Sequence, residues 1–98
     1  MDFEFGNDKL EEVYYNPRAS IGHGPLVDKG FRKVVGKIQA VKDELDLRNL
    51  KGLHYHKLDG DRGHQHGLNI TDQWRLIVER NEKDGRTRLI IISVEDYH

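Results

Sequence analysis

The chain has no cysteine, which excludes disulfides, thiolate metal sites and a cysteine nucleophile and is compatible with a cytoplasmic protein. It has no long hydrophobic run either. The longest uninterrupted apolar stretch, Leu89 to Ile92, is four residues, whereas a membrane-spanning helix needs about 20. The acidic start Met1-Asp2-Phe3-Glu4 does not read as a signal peptide. An excess of one charge is also missing: 16 Lys and Arg stand against 17 Asp and Glu, a formal net charge of −1. Proteins that grip free nucleic acid by counterion release usually show a clear basic excess. Any nucleic-acid contact must therefore be local, or be shared with another body. Proline is scarce, with only Pro17 and Pro25, and both border the Gly- and Asn-containing stretch Asn16 to Gly24, which reads as a loop.

What is present describes one small folded unit. Ninety-eight residues, 36 % hydrophobic and with 10 glycines, fit a single domain over 1–98 and disfavour disorder. A chain this short hides only roughly 60–65 % of its unfolded surface, so a site must use a sheet face or edge rather than a deep tunnel. Asn7 or Asp8, followed by Leu10, Val13 and Tyr14 on one helical face, predicts a short helix from about Asp8 to Tyr15. Gly24-Pro25 opens a longer helix, because proline at the first helical position lacks only an amide that would be unpaired anyway. Val27, Phe31, Val34, Val35, Ile38, Val41 and Leu45 recur three and four residues apart and form its buried stripe. Gly30 and Gly36 within it call for close backbone packing or a kink.

Beyond Leu50 the apolar period falls to two, and three turn signals, Asp59-Gly60-Asp61, Thr71-Asp72-Gln73 and Lys83-Asp84-Gly85, divide the rest into strands. Trp74, Leu76 and Val78 alternate with Arg75, which therefore points away from the face holding the indole. Arg88 to Val94 is apolar at both parities, as in a strand buried on both sides or central in a sheet. Phe3 and Phe5 place a further strand at the edge. The expected class is α+β: a small curved antiparallel sheet of about four or five strands with two N-terminal helices packed on it.

Two His-x-His pairs, His54/His56 and His64/His66, flank a glycine-containing turn. Residues two apart on a strand share a face, so a hairpin can bring such pairs opposite each other in a geometry that suits a divalent metal. Partly buried, hydrogen-bonded sheet histidines account for the same pattern, as does RNA or proton-transfer chemistry. Around them, Lys51, Lys57, Arg62 and Arg75 outnumber the acids Asp59, Asp61 and Asp72 by one. Protonation of the histidines would raise the positive charge of this surface near pH 6. Lys57, Lys51, His64 and His66 are thus the candidates for RNA contact. Solvated cross-strand charge pairing is the plainer alternative. The chain closes on Val94-Glu95-Asp96-Tyr97-His98, an aromatic, a carboxylate and an imidazole directly after its most apolar strand.

Taken in order, these segments resemble the RelE-like toxins of bacterial toxin–antitoxin modules, and within them the HigB-type branch of plasmid-maintenance killer proteins. The likeness is carried by His56-Lys57-Leu58-Asp59-Gly60-Asp61-Arg62, Gln65-His66-Gly67-Leu68, Asp72-Gln73-Trp74-Arg75-Leu76 and the ending Val94 to His98. It covers about residues 45–98, with the first 45 matching by helix pattern and length. The resemblance implies a metal-independent endoribonuclease without cofactor that cleaves mRNA on the translating ribosome, contacting ribosomal RNA. It also implies inhibition by a cognate helix-turn-helix antitoxin, with operator DNA bound only through that complex. His56, Arg62, Arg75, Asp96, Tyr97 and His98 fall on its active-site motif positions. Asp59 stands where the HigB-type pattern often has lysine, and Lys57, of the same strand parity, is the candidate substitute.

Metal-free cleavage of RNA needs a proton acceptor for the attacking 2′-OH, a donor for the leaving 5′-oxygen, and cations for the charge gathering on phosphoryl oxygens. Arg75 and Arg62 suit the last role, since a guanidinium donates in a planar fork and stays charged. His98 or His56 would donate the proton, Asp96 would accept it or orient His98, and Tyr97 would stack on a base. Two other functions compete with this one: a ParE-type toxin that poisons DNA gyrase by binding it, and a metal-binding module built on the clustered histidines.

Overall fold

The helical and strand periodicities meet in one apolar layer between helices and sheet. The computed structural model describes residues 1–97. After β1 (Phe3–Phe5), helix α1 (Asp8–Tyr15) starts where the Asn7 side chain accepts a hydrogen bond from the Leu10 amide at 3.2 Å, an N-cap that satisfies one of the free donors of the first turn. Leu10 and Val13 are its buried residues. Helix α2 (Pro25–Ala40) has proline in its first turn and buries Val27, Phe31, Val34, Val35 and Ile38. The two helical glycines differ in what they do. A Cβ on Gly30 would lie 2.8 Å from Ile70 Cγ2, so the helix backbone there presses on the chain leaving the sheet, whereas a Cβ on Gly36 would meet nothing within 4 Å.

The buried stripe does not run through to Leu45. Helix α2 stops at Ala40, Val41 is extended, and a separate short helix α3 (Glu44–Asn49) follows, leaving Leu45 65 % exposed. The physical reason is Asp43, whose carboxylate accepts from the Asp46 amide at 3.0 Å. This local bond caps a new helix in competition with continuation of the old one.

Strands β2 (His56–Lys57), β3 (Gln65–Asn69), β4 (Trp74–Lys83) and β5 (Arg86–Asp96) complete a five-stranded sheet in the order β1-β5-β4-β3-β2. The expected α+β layering holds, with one correction: β2 to β5 pair antiparallel but β1 runs parallel to β5, so the sheet is mixed. Three helices stand against it rather than two. The β4–β5 hairpin turns at Asp84 and Gly85, both with positive φ (54° and 74°), the conformation whose twist matches that of the flanking strands. Leu68, Leu76, Val78, Leu89 and Ile91 of the sheet join Phe31, Val35 and Ile38 in the core. The strand from Arg88 to Val94 is interior but not buried on both faces, because Ile90 and Ile92 are only half-buried.

One irregularity sets the orientation of the chain end. Ile77 pairs with Ser93 but Val78 with Ile91, so Ile92 is an extra residue and β5 carries a bulge. Before it, Leu89 and Ile91 face the core; after it, Val94 packs on the core and is opposite Leu76. Ser93 and Glu95 consequently share the outer face with Ile77 and Arg75.

The two glycines make opposite predictions. Gly36→Ala should raise the urea midpoint, worth about 0.5–1 kcal/mol from helix propensity alone. Gly30→Ala should lower it despite the same propensity gain, since its methyl group would push Ile70.

Candidate functional site

Strand alternation sends Arg75 to the outer face, where it sits between Asn69 of β3 and Glu95 of β5. Tyr97 follows β5, its amide donating to the Gln73 carbonyl at 2.8 Å and its hydroxyl to Asn69 Oδ1. The ring is thereby placed under Arg75, whose guanidinium carbon is 5.0 Å from the ring centroid, within range of a cation–π interaction. Arg75 Nε is buried and has no hydrogen-bond partner. Buried donors are nearly always paired, so this one is positioned to serve an acceptor brought by a ligand.

His56 approaches from β2, opposite Gly67. Its Nδ1 lies 2.7 Å from the His54 carbonyl oxygen. A carbonyl only accepts, which assigns the proton to Nδ1 and leaves the lone pair of the neutral ring on Nε2. Gly67 allows this approach: a Cβ there would meet His56 Cε1 at 3.3 Å, Leu58 Cδ2 at 3.4 Å and Arg75 Cδ at 3.6 Å. His56 and Arg75 thus lie on one small floor. Beneath them Leu58 and Ile77 are buried apart from the main core.

Arg62 completes the group from the 3₁₀ turn Gly60–Arg62. Its Nε donates to Gln65 Oε1 at 3.0 Å, and its two terminal nitrogens donate to the Glu95 carboxylate at 2.9 and 2.8 Å. Ser93 Oγ adds a 3.0 Å bond to Glu95 Oε2. These hydrogen bonds from Arg62, ahead of the opposing effect of burial, hold the Glu95 carboxyl below its ordinary range, with help from Ser93 and the charges of Arg62 and Arg75. A pocket of about 250 Å³ lined by His56, Lys57, Leu58, Asp59, Arg62 and Arg75 opens beside them.

The structure therefore brings His56, Arg62, Arg75 and Tyr97 together. It does not bring Asp96 to the same face: Asp96 is opposite Trp74, and Gln73 Nε2 donates to its carboxylate at 2.9 Å. Glu95 is the carboxylate on the arginine side, and neither it nor Asn69 nor Gly67 was singled out from the sequence. The signal that finds Glu95 is its cross-strand position opposite Arg75, which depends on the bulge. His98 lies outside the described residues.

The proposed RNA-contact residues divide as well. Lys57 pairs with His66, on the parity opposite to His56, yet its chain borders the pocket. It also lines a second concavity of about 330 Å³ with Arg48, Gly63, His64, His66 and Arg80. His64 is exposed, 3.8 Å from Glu79, and Lys51 is exposed in the turn Lys51–Leu53. His66 is buried and stacks on Tyr55 at 4.9 Å, and burial is the main cause that lowers its pKa. The histidine pairs thus end on different faces, and among the described residues no three His, Asp or Glu side chains form a group able to hold a metal ion. Behind His66, Glu44 accepts from Tyr55 OH and from Arg80 Nε, both at 2.7 Å.

Neither a family model nor a curated protein matches the chain at the level of sequence. Among solved structures, the fold is similar to that of a YoeB/ParE toxin from Agrobacterium tumefaciens, with a TM-score of 0.57 and 12 % sequence identity over 100 % of both chains. At that identity the likeness is one of fold: an α+β unit with helices on one face of a small open sheet.

The network behind the site should be visible in the acid limb of stability. Burial acts to raise the pKa of Glu44, but the hydrogen bonds from Arg80 and Tyr55 outweigh it and the carboxyl lies below its ordinary value. A depressed folded-state pKa contributes stability above the unfolded value of about 4.3, and that contribution disappears as pH falls through the folded value. The difference in melting temperature between wild type and Glu44→Gln should therefore be full at pH 6 and shrink on acidification below about pH 4.

Proposed function

We propose that this protein is the toxin of a toxin–antitoxin module of the RelE superfamily, HigB-type branch, and that it cleaves mRNA on the ribosome without a metal. The observation that carries the reading is the convergence of His56, Arg75 and Tyr97 on one uncovered sheet face. Each supplies a part that phosphodiester cleavage requires. His56, with Nδ1 tied to a carbonyl, offers Nε2 as acceptor of the 2′-OH proton. Arg75, with a buried unpartnered Nε, donates to phosphoryl oxygens as charge gathers there. Tyr97, held by Asn69, offers an aromatic surface to a base. His98 is the candidate donor to the leaving 5′-oxygen, and Lys57 and His64 line the path on which flanking phosphates would run. Asp96, whose carboxylate is engaged by Gln73, would act by orienting the last residues.

Acid–base groups contribute typically ~10²–10⁴-fold each, well short of a full enzymatic acceleration. The ribosome fills the gap by holding the message in a geometry fit for in-line attack. A chain with a formal net charge of −1 needs such a partner, since it has no basic excess with which to hold free RNA. In this reading a cognate helix-turn-helix antitoxin restrains the toxin, operator DNA is met only through their complex, and the toxin works in the cytoplasm. The fold likeness to a protein whose title includes ParE gives weight to one second reading, a gyrase poison on the same scaffold.

Arg75→Ala decides between them. Loss of one preorganised donor should lower message cleavage on purified ribosomes by roughly 10²–10³-fold, with melting temperature nearly unchanged because Arg75 carries no core contact. A folded Arg75→Ala protein that cleaves as wild type refutes the nuclease reading. Inhibition of gyrase supercoiling by the wild type, without RNA cleavage, establishes the other.

A further inference from the structure

The two arginines of the site are not equivalent. Arg62 has all three guanidinium nitrogens engaged, Nε by Gln65 and the terminal pair by Glu95, while Arg75 lies over the Tyr97 ring with its Nε unpartnered. We infer that Glu95 is the positioning residue of this site, acting through Arg62: the pair staples the turn Gly60–Arg62 to β5, and Arg75 alone meets the scissile phosphate. This rests on the reading of the site as an RNA-cleaving one.

Arg62 and Glu95 are 33 residues apart in the chain and join the two sides of the site. On one side is the connection from β2 to β3, whose turn ends at Arg62. On the other is the end of β5, which leads to Tyr97. No side chain caps the 3₁₀ turn, and Gly60 within it has φ 68°, so little within the turn itself holds it in place. The fork from Arg62 to Glu95 does, and a bidentate guanidinium–carboxylate pair fixes direction as well as distance. Ser93 Oγ in turn fixes the Glu95 carboxylate from within β5. Glu95 has a second effect. It is an anion close to both guanidinium groups, which lets Arg75 stand beside Arg62 without net repulsion. A carboxylate clasped this way is a weak base, which leaves proton transfer to the imidazoles.

Both partners are partly solvated, with side chains 39 % and 34 % exposed, and pairs of that kind contribute little to global stability. Variants should fold and differ in geometry. The test is a cycle of Glu95→Gln, Arg62→Gln and the double variant, with Arg62→Lys and Arg75→Ala beside it. Each is assayed for kcat and KM of message cleavage on purified ribosomes and for the protection of the Arg62 Nε–H signal by NMR. A staple predicts that Glu95→Gln and Arg62→Gln each lower kcat by about tenfold to a hundredfold at nearly constant KM. The double variant should be no worse than either single one. Arg62→Lys should fail like Arg62→Gln, because an ammonium keeps the charge but not the fork.

If Arg62→Lys is close to wild type, or Arg62→Gln is far worse than Glu95→Gln, then Arg62 meets the phosphate itself and the inference is wrong. Higher activity in Glu95→Gln overturns it too, by showing an inhibitory counter-ion. The NMR measurement needs no activity: a protected Arg62 Nε–H in wild type should lose protection in Glu95→Gln, and persistence of that protection removes the staple. Wild-type activity in Arg75→Ala defeats instead the nuclease reading on which the inference rests, and the two failures are thereby told apart.

Discussion

The arrangement of the site depends on a single extra residue. With Leu89 and Ile91 facing the core, strict alternation would send Ser93, Glu95 and Tyr97 toward the helices and Asp96 to the outer face beside Arg75. The bulge at Ile92 reverses this. Val94 turns in to the core, while Ser93 and Glu95 come out opposite Ile77 and Arg75. A bulge bends and twists its strand and re-aims the side chains beyond it, and here it delivers a carboxylate and an aromatic ring to the one sheet face that no helix covers. A strand shifted by one residue exchanges its two faces completely, so the site and the core are specified by the same pairing.

What that face carries is balanced rather than strongly positive. Arg62 is matched by Glu95, Arg80 by Glu44 and Glu82, and His64 lies near Glu79. The near-neutral composition is therefore repeated locally, and little positive charge is left over to attract a polyanion at long range. Specific placement replaces bulk charge: an unpartnered Nε, an imidazole whose tautomer is set by a carbonyl, and a ring held by an asparagine. Such a surface suits a partner that presents an already shaped RNA segment better than it suits free RNA.

The apolar layer beneath is ordinary by comparison, and it is where close packing is most demanding. Gly30 brings α2 against Ile70, and Gly67 brings His56 and Arg75 onto one floor. In both places the absence of a Cβ, rather than any backbone freedom, is what the fold uses. Behind the floor, Tyr55, Glu44 and Arg80 form a hydrogen-bonded network under His66, which supports the sheet from the helix side.

Periodicity alone determined α1, the start of α2, the hairpin turn at Asp84-Gly85, the inward face of β4 and the outward direction of Arg75, because each follows from neighbours a few residues away. Local pattern also isolated His56, Arg62 and Tyr97. The tertiary structure decided the rest: that β1 runs parallel to β5, that Asp43 divides the helix before Leu45, that His66 is turned inward against Tyr55, and that Glu95 rather than Asp96 faces the arginines. These are consequences of pairing between distant segments. A side chain's face on a strand is a matter of parity, and parity beyond Ile92 is set by which residue of β4 each residue of β5 meets, a relation that no stretch of the chain contains by itself.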